Sequence, residues 1–400
     1  MGCEGTLTKG QTARAIRGDQ VAAFRVARHH LGAAGSKGTR PADSGGSTRT
    51  RRTDPTLVDV CRDIGGVQAQ VMSAAEQQLW TRRQRSTRAE IQAALWEERA
   101  LVKTTCMRRT LHLLTAEDFP LYMTALRSSS METMYSHLAR LGAGPKHATT
   151  MIAAVMEALA DGPKTQRELI AHAKGAAAPS MRKWLQYSWS ALRPAIIEAL
   201  IVYGPPRGNE VTFVRADQWL ARPRRIDDED ARRELVRRFL SAFGPATVLD
   251  FMKWSGIRAA EARRTWASLE DELATVSIDG VSQSVLRRDL AALIDHASDG
   301  SLRLLPNFDP FLLAHATKDH LVERRHYKRV YRNQGWITPV VLVDGRVAGI
   351  WSLEMRGKAV AVDVQMFAPF NRATRAGIER EAAALAAFLG AKCDVKVRAI

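Results

Sequence analysis

Two amides separated by one small residue, Gln68-Ala69-Gln70, stand between a glycine pair (Gly65-Gly66) and an alanine-rich run that begins near Ser73. On a helix the two side chains would lie about 200° apart, nearly opposite. Only an extended or irregular backbone turns both to one side, and a Gly-Gly pair permits one. Ser73 then reads as a helix N-cap, with Glu76 closing a capping box. A glutamine is neutral and cannot act as a general base. Its carbonyl can hold a water and face a developing positive charge. The competing reading is that Gln68 and Gln70 only cap helices and satisfy loop backbone.

The elements that must position this pair belong to a long, basic chain. Its 400 residues exceed one small core, so two to four compact units are expected. Fifty-nine Lys and Arg against 42 Asp and Glu give a net charge of +17, which suits a polyanion, with nucleic acid the first choice. The excess is scattered rather than gathered in one run, so an arginine-rich composition is the alternative. Cys3, Cys61, Cys106 and Cys393 lie far apart without a CxxC or a neighbouring His pair. They read as reduced packing residues of an intracellular protein, with no zinc or other metal site. No run approaches 18 apolar residues and no signal peptide is evident, so the expected setting is the cytoplasm, with the protein associated with the nucleoid. No cofactor is implied, and a monomer is expected.

Residues 1–18 are polar and glycine-rich and read as a flexible N-terminus. A first unit spans 19–150. It opens with a helical pattern over 21–31, in which Phe24, Val26 and Leu31 are core candidates, and contains a basic linker, 33–55. Arg40, Arg49, Arg51 and Arg52 in that linker are candidates for phosphate contact. Helices over 56–64, 74–84 and 88–99 precede short β-prone runs at 100–105 and 110–114 around Cys106-Met107-Arg108-Arg109. This is the order of a winged helix, with the hairpin as the wing. Lys103, Arg108 and Arg109 can then lie along phosphates or simply decorate a solvated tip. The order recurs in 151–225 and 226–299, where Gly162-Pro163-Lys164-Thr165 and Gly244-Pro245-Ala246-Thr247 each open a helix with a threonine cap. From 300 to 400 the texture is strands plus one helix, 372–388. The expected fold is α+β and helix-rich: three tandem winged-helix units, then a C-terminal antiparallel β-barrel.

Several long motifs carry a resemblance: GGVQAQ (65–70), ALWEERALVKTTCMRRTLHLLTAED (94–118), LLPNFDPFLLAH (304–315) and WITPVVLVDGRVAGIW (336–351). In this order they resemble the winged-helix DNA-binding family that includes the AlkZ- and YcaQ-type DNA glycosylases. The resemblance covers the chain from about Phe24 onward. It implies a concave cradle for DNA and a Gln-x-Gln active-site motif, which falls on Gln68 and Gln70. In the family's glycosylases the middle residue is usually larger and apolar, whereas here it is Ala69.

The chemistry then closes. An N7- or N3-alkylated purine is already cationic and leaves its sugar without a proton donor. A positioned water and carbonyls facing the developing sugar cation are enough. Asp309 is a candidate for an additional carboxylate, against the simpler role of satisfying loop amides before Pro310. A base in duplex DNA must be extruded before such chemistry. His112 can point to the DNA or the pocket, or pack beneath the hairpin. The expectation is a monofunctional glycosylase of base-excision DNA repair, acting on damaged double-stranded DNA and extending to crosslink unhooking. The alternatives are a non-catalytic DNA-binding protein or regulator, and a small-molecule binder that sequesters a genotoxic compound.

Overall fold

Helix α2 (Leu57–Asp63) starts where Thr56 and Asp59 cap each other, the Thr56 hydroxyl accepting from the Asp59 amide at 3.1 Å. A computed structural model describes residues 14–33, 54–176, 188–221 and 226–400 of the chain. After α2 the backbone turns through Gly65 (φ 70°) and Gly66 (φ 92°). A Cβ on Gly66 would lie 2.8 Å from Leu114, so this turn accepts glycine alone. The chain then enters strand β2 (Val67–Gln68), helix α3 (Met72–Arg82) and helix α4 (Arg88–Trp96). It closes with the hairpin β3 (Leu101–Thr105) and β4 (Leu111–Thr115). The sheet order is β2-β4-β3.

The long helix α5 (Phe119–Arg140) leads away from this unit. The second unit repeats the order: α6 (Pro145–Ala158), β5 (Lys164–Thr165), α7 (Gln166–Ala176), α8 (Ser188–Ile197) and the hairpin β6 (Ile201–Arg207) and β7 (Glu210–Arg215). The third has α9 (Asp228–Phe243), α10 (Val248–Ser255), α11 (Ala259–Ala267) and the hairpin β8 (Leu273–Ile278) and β9 (Val281–Leu286). Its outer strand shrinks to one bridge, Ala246 to Ser284. One apolar cluster joins first and third units: Met107 and Leu114 with Tyr122 of α5, and Phe239, Phe243, Phe251 and Trp254 of the third.

The N-terminal segment does not stay with the first unit. Strand β1 (Arg14–Ala15) pairs in parallel with β8, 262 residues further on at Arg14↔Val276. Helix α1 (Gly18–Arg28) buries Phe24 among Val276, Ile278 and Val285. Val26 and Leu31 face the C-terminal region instead. Arg28 and Asp289, both buried, close an ion pair of 2.7 Å across the same junction.

The expected β-barrel is not formed. The C-terminal sheet runs β10 (Leu302–Leu305), β11 (Val340–Val343), β12 (Arg346–Arg356), β13 (Ala359–Met366) and β14 (Lys392–Ala399), and it is open. It is not wholly antiparallel either, because β14 pairs in parallel with β13. The cause is helix α12 (Arg372–Phe388), a crossover between the last two strands. Its Ile378, Ala382 and Leu385 pack on Leu304, Val341, Trp351, Val362 and Val364, and Gly377 meets Leu302 at the far edge. The helix thus spans the face that closure would turn inward, and β10 and β14 remain separate edges. The molecule is a mixed helix-and-strand fold with small separate sheets. Among the described residues no helix is long and apolar enough to cross a membrane.

Candidate active site

Gln68 lies on β2 directly opposite His112 of β4. The ladder continues one residue further, since the Ala69 amide donates to the Leu111 carbonyl at 2.7 Å. Alternation along this extended stretch sends Val67 and Ala69 one way and Gln68 the other, and exposed Gln70 follows at a bend with its oxygen 3.5 Å from the Leu111 amide. Val67 and Ala69 are fully buried in a cluster with Val60, Ile64, Leu79, Leu101 and Leu113. Ala69 is therefore a core residue under the strand. Gln68 is buried and Gln70 exposed.

The helix does not begin at Ser73 as expected. Its N-cap is Val71, without a side-chain cap, and Glu76 is buried against Arg88 Nε (2.9 Å) and Gln92 Nε2 (2.5 Å). With that carboxylate occupied on α4, no capping box forms and residues 69–71 remain outside the helix.

The hairpin tip splits two neighbouring arginines. Arg108 and Arg109 both have left-handed backbone (φ 53° and 61°). Arg108 turns inward: Nη1 donates to the Trp254 carbonyl at 2.7 Å and Nη2 to Gln68 Oε1 at 2.9 Å. The His112 ring approaches the same Nη2 at 3.5 Å through Nε2, while Nδ1 donates to the Thr110 carbonyl at 2.9 Å. Burial and the Arg108 charge push the His112 imidazole down to about 3, so it is neutral near pH 7 with a free lone pair on Nε2. Burial lowers Arg108 to about 10, which still leaves it cationic. Arg109 is exposed and lines a cleft shared with Arg193. Lys103 is half-buried, its ammonium 5.5 Å from the Tyr203 ring centroid.

The structure brings together Gln68, Arg108 and His112, with the Gln70 oxygen near the Leu111 amide beside them in sequence. It does not bring the Asp309 carboxylate to them. Asp309 is fully buried, gripped by Arg82 through two bonds of 2.7 and 2.8 Å, and caps the Phe311 amide at 3.0 Å. Its loop nonetheless touches the site through a residue the sequence reading overlooked. Gln78 Nε2 donates both to the Gln68 carbonyl (3.2 Å) and to the Asn307 carbonyl (3.1 Å). Gln78 and Arg82 are four apart on α3 and both buried, and a polar i, i+4 pair on an otherwise core-facing helix is the signal that marks them. Trp80 is a core anchor, stacked on Phe388 at 5.2 Å. Arg40, Arg49, Arg51 and Arg52 lie outside the described residues.

Comparison with known proteins identifies the family. The family described as DNA glycosylase AlkZ-like matches residues 61–388. An interstrand DNA cross-link repair glycosylase of Streptomyces sahachiroi is 32% identical over 310 residues, 76% of this chain and 83% of that protein. The solved structure of the Streptomyces sahachiroi DNA glycosylase AlkZ superposes with a TM-score of 0.80 at 26% identity, covering 96% of this chain and all of the other. The chain belongs to the AlkZ-like family and is a DNA glycosylase.

Proposed function

We propose that this glycosylase hydrolyses the N-glycosidic bond of cationic, alkylated bases in duplex DNA, with Gln68 and Gln70 as the catalytic pair. The observation that supports the proposal is the extended stretch over 67–69, which commits Val67 and Ala69 to the core, turns Gln68 to Arg108 and leaves Gln70 exposed just beyond it. In the extruded nucleotide the bond from C1′ to the base nitrogen breaks, and the base departs neutral because it began as a cation. Positive charge passes to the sugar, where amide carbonyls oppose it. A water held by the same carbonyls adds to C1′ and releases its proton to solvent, leaving an abasic site. Asp309 serves this centre by fixing the loop that Gln78 ties to the Gln68 backbone. Arg109, with Arg51 and Arg52 of the basic linker, supplies phosphate contacts, and Lys103 supports the hairpin from the side of Tyr203. The relative that acts on interstrand cross-links supports extending the substrate range to crosslinked bases. We place the enzyme in the cytoplasm, acting as a monomer on nucleoid DNA.

The test is release of N7-methylguanine from alkylated duplex DNA under single-turnover conditions. The wild type should release the free base and leave abasic sites, not direct strand breaks. Gln68→Ala/Gln70→Ala should slow release by about 100-fold or more, the usual cost of removing a group that stabilises developing charge. Release unaffected by the double substitution would overturn the assignment. A footprint at one sequence with no base release would favour the regulator.

A further inference from the structure

We infer that Arg108 is a positioning residue that holds the Gln68 amide in its working orientation, and not a phosphate contact. The inference rests on the reading of Gln68 as catalytic. An amide can be placed two ways round, and only its chemical surroundings decide which. Arg108 presents N–H donors alone, so at 2.9 Å it must face the Gln68 oxygen; a flipped amide would set donor against donor. The oxygen keeps a second lone pair for water, and the amide cannot rotate while the guanidinium stays in place.

Two further partners hold the guanidinium itself. The Trp254 carbonyl belongs to the last turn of α10, where carbonyls lack helical partners and a cation is favoured. His112 offers its Nε2 lone pair from beneath, its tautomer set by the bond from Nδ1 to Thr110. Gly256, the left-handed cap of α10 (φ 82°), lets that helix end approach so closely that a Cβ there would lie 3.3 Å from the Arg108 amide nitrogen. Among the described residues every hydrogen-bond partner of this half-buried cation is neutral, and none is a carboxylate. The third unit therefore reaches the candidate active site of the first through one side chain. Gln70 has no such hold: its oxygen has one long contact, 3.5 Å from the Leu111 amide.

The test is a double-mutant cycle on the single-turnover rate, with DNA affinity and its salt dependence measured beside it. Arg108→Lys replaces the planar fork, which gives Trp254 and Gln68 a nitrogen each, with a single ammonium on a flexible stem. It should slow base release about tenfold while leaving the Kd for undamaged duplex within twofold and the salt slope unchanged. In a Gln68→Ala background it should add nothing. A weaker Kd with a salt slope reduced by about one, at unchanged rate, would make Arg108 a phosphate contact and overturn the inference. So would a rate loss that multiplies with that of Gln68→Ala. Should Arg108→Lys fail to fold, Gly256→Ala decides, because it keeps both side chains while straining the left-handed cap by about 1 kcal/mol and pressing on the tip. Its rate loss should vanish in the Gln68→Ala background, and an equal loss in both backgrounds overturns the inference. If Gln68→Ala alone leaves the rate intact, the catalytic reading of Gln68 falls and this inference with it. A failure of Arg108→Lys alone leaves that reading standing.

Discussion

The second and third units use the residue after their outer strand differently from the first. In the second, β5 runs directly into α7, and Thr165 and Glu168 cap that helix reciprocally at 3.2 and 2.6 Å. In the third, Ala246 bridges to β9 and Thr247 caps α10 with Asp250 in the same way. The first unit places Ala69, Gln70 and Val71 between its outer strand and its helix, and that helix starts with no side-chain cap. Polar groups at this corner are consumed by the fold in two copies and left to face outward in one. The hairpin tips differ in the same sense. Arg207 of the second is paired with Glu168, and the third turns at Asp279-Gly280, whereas the first carries Arg108 and Arg109 with neither in an ion pair among the described residues. A functional site of this kind shows itself as the copy that breaks the local rule.

The comparison is broken most forcefully at Asp309, the other polar residue singled out from the sequence. If it belongs with the consumed groups, Asp309→Asn strands a buried Arg82 and should cost about 3–5 kcal/mol of stability. The rate of the folded fraction, measured at low temperature, should change far less than with Gln68→Ala. The opposite pattern, a normal melting curve with base release abolished, would return Asp309 to the chemistry. Denaturant unfolding alongside the single-turnover rate separates the two.

Acid offers a second probe. The buried His112 imidazole is pushed down to about 3 and the half-buried His320 imidazole to about 2, chiefly by desolvation, and His29 and His315 fall well below the usual histidine range for the same reason. The unfolded chain takes up protons near pH 6.5 that the native protein refuses, so stability is full above that pH and declines as pH falls towards the folded values. Each such histidine contributes up to about 1.4 kcal/mol per pH unit in that window. The melting temperature should drop between pH 7 and pH 5. His112→Gln should flatten that slope. The base-release rate of still-folded enzyme should show no histidine-like inflection near 6.5, and an inflection there would mean that His112 titrates in the working site.

Much of this architecture is legible in the sequence because it is local. The hairpin turning at Asp279-Gly280, the threonine caps at 165 and 247, and the helix at Arg372–Phe388 follow from turn chemistry and apolar period. What escapes is partner choice over distance. Period shows that Phe24 and Val26 are buried, but not that they face two different bodies or that Arg14 pairs with Val276. A strand-rich C-terminus does not reveal that a helix covers the face a barrel needs. At the site, spacing places Gln68 and Gln70 on one side of an extended chain. It cannot tell Arg108 from Arg109, whose opposite directions depend on two left-handed residues and on a helix end contributed by another unit.

The smallest effect goes to the centre of the comparison. Thr247→Ala removes a cap of the kind α3 lacks and should cost about 1 kcal/mol. At the corresponding corner, Val71 has extended backbone (φ −119°, ψ 111°) and is half-buried beside the C-terminal core. Val71→Thr keeps the branched shape and adds a hydroxyl within reach of the first-turn amides. If α3 lacks a cap that α7 and α10 have, this substitution should raise stability by about 0.5–1 kcal/mol, in the opposite direction to Thr247→Ala. Base release should be retained, because the change leaves Gln68, Gln70 and Arg108 untouched. A neutral or destabilising result, read by chemical denaturation in parallel with Thr247→Ala, would mean that the helix end is already satisfied. The contrast between the first unit and its two relatives would then rest on the glutamines alone.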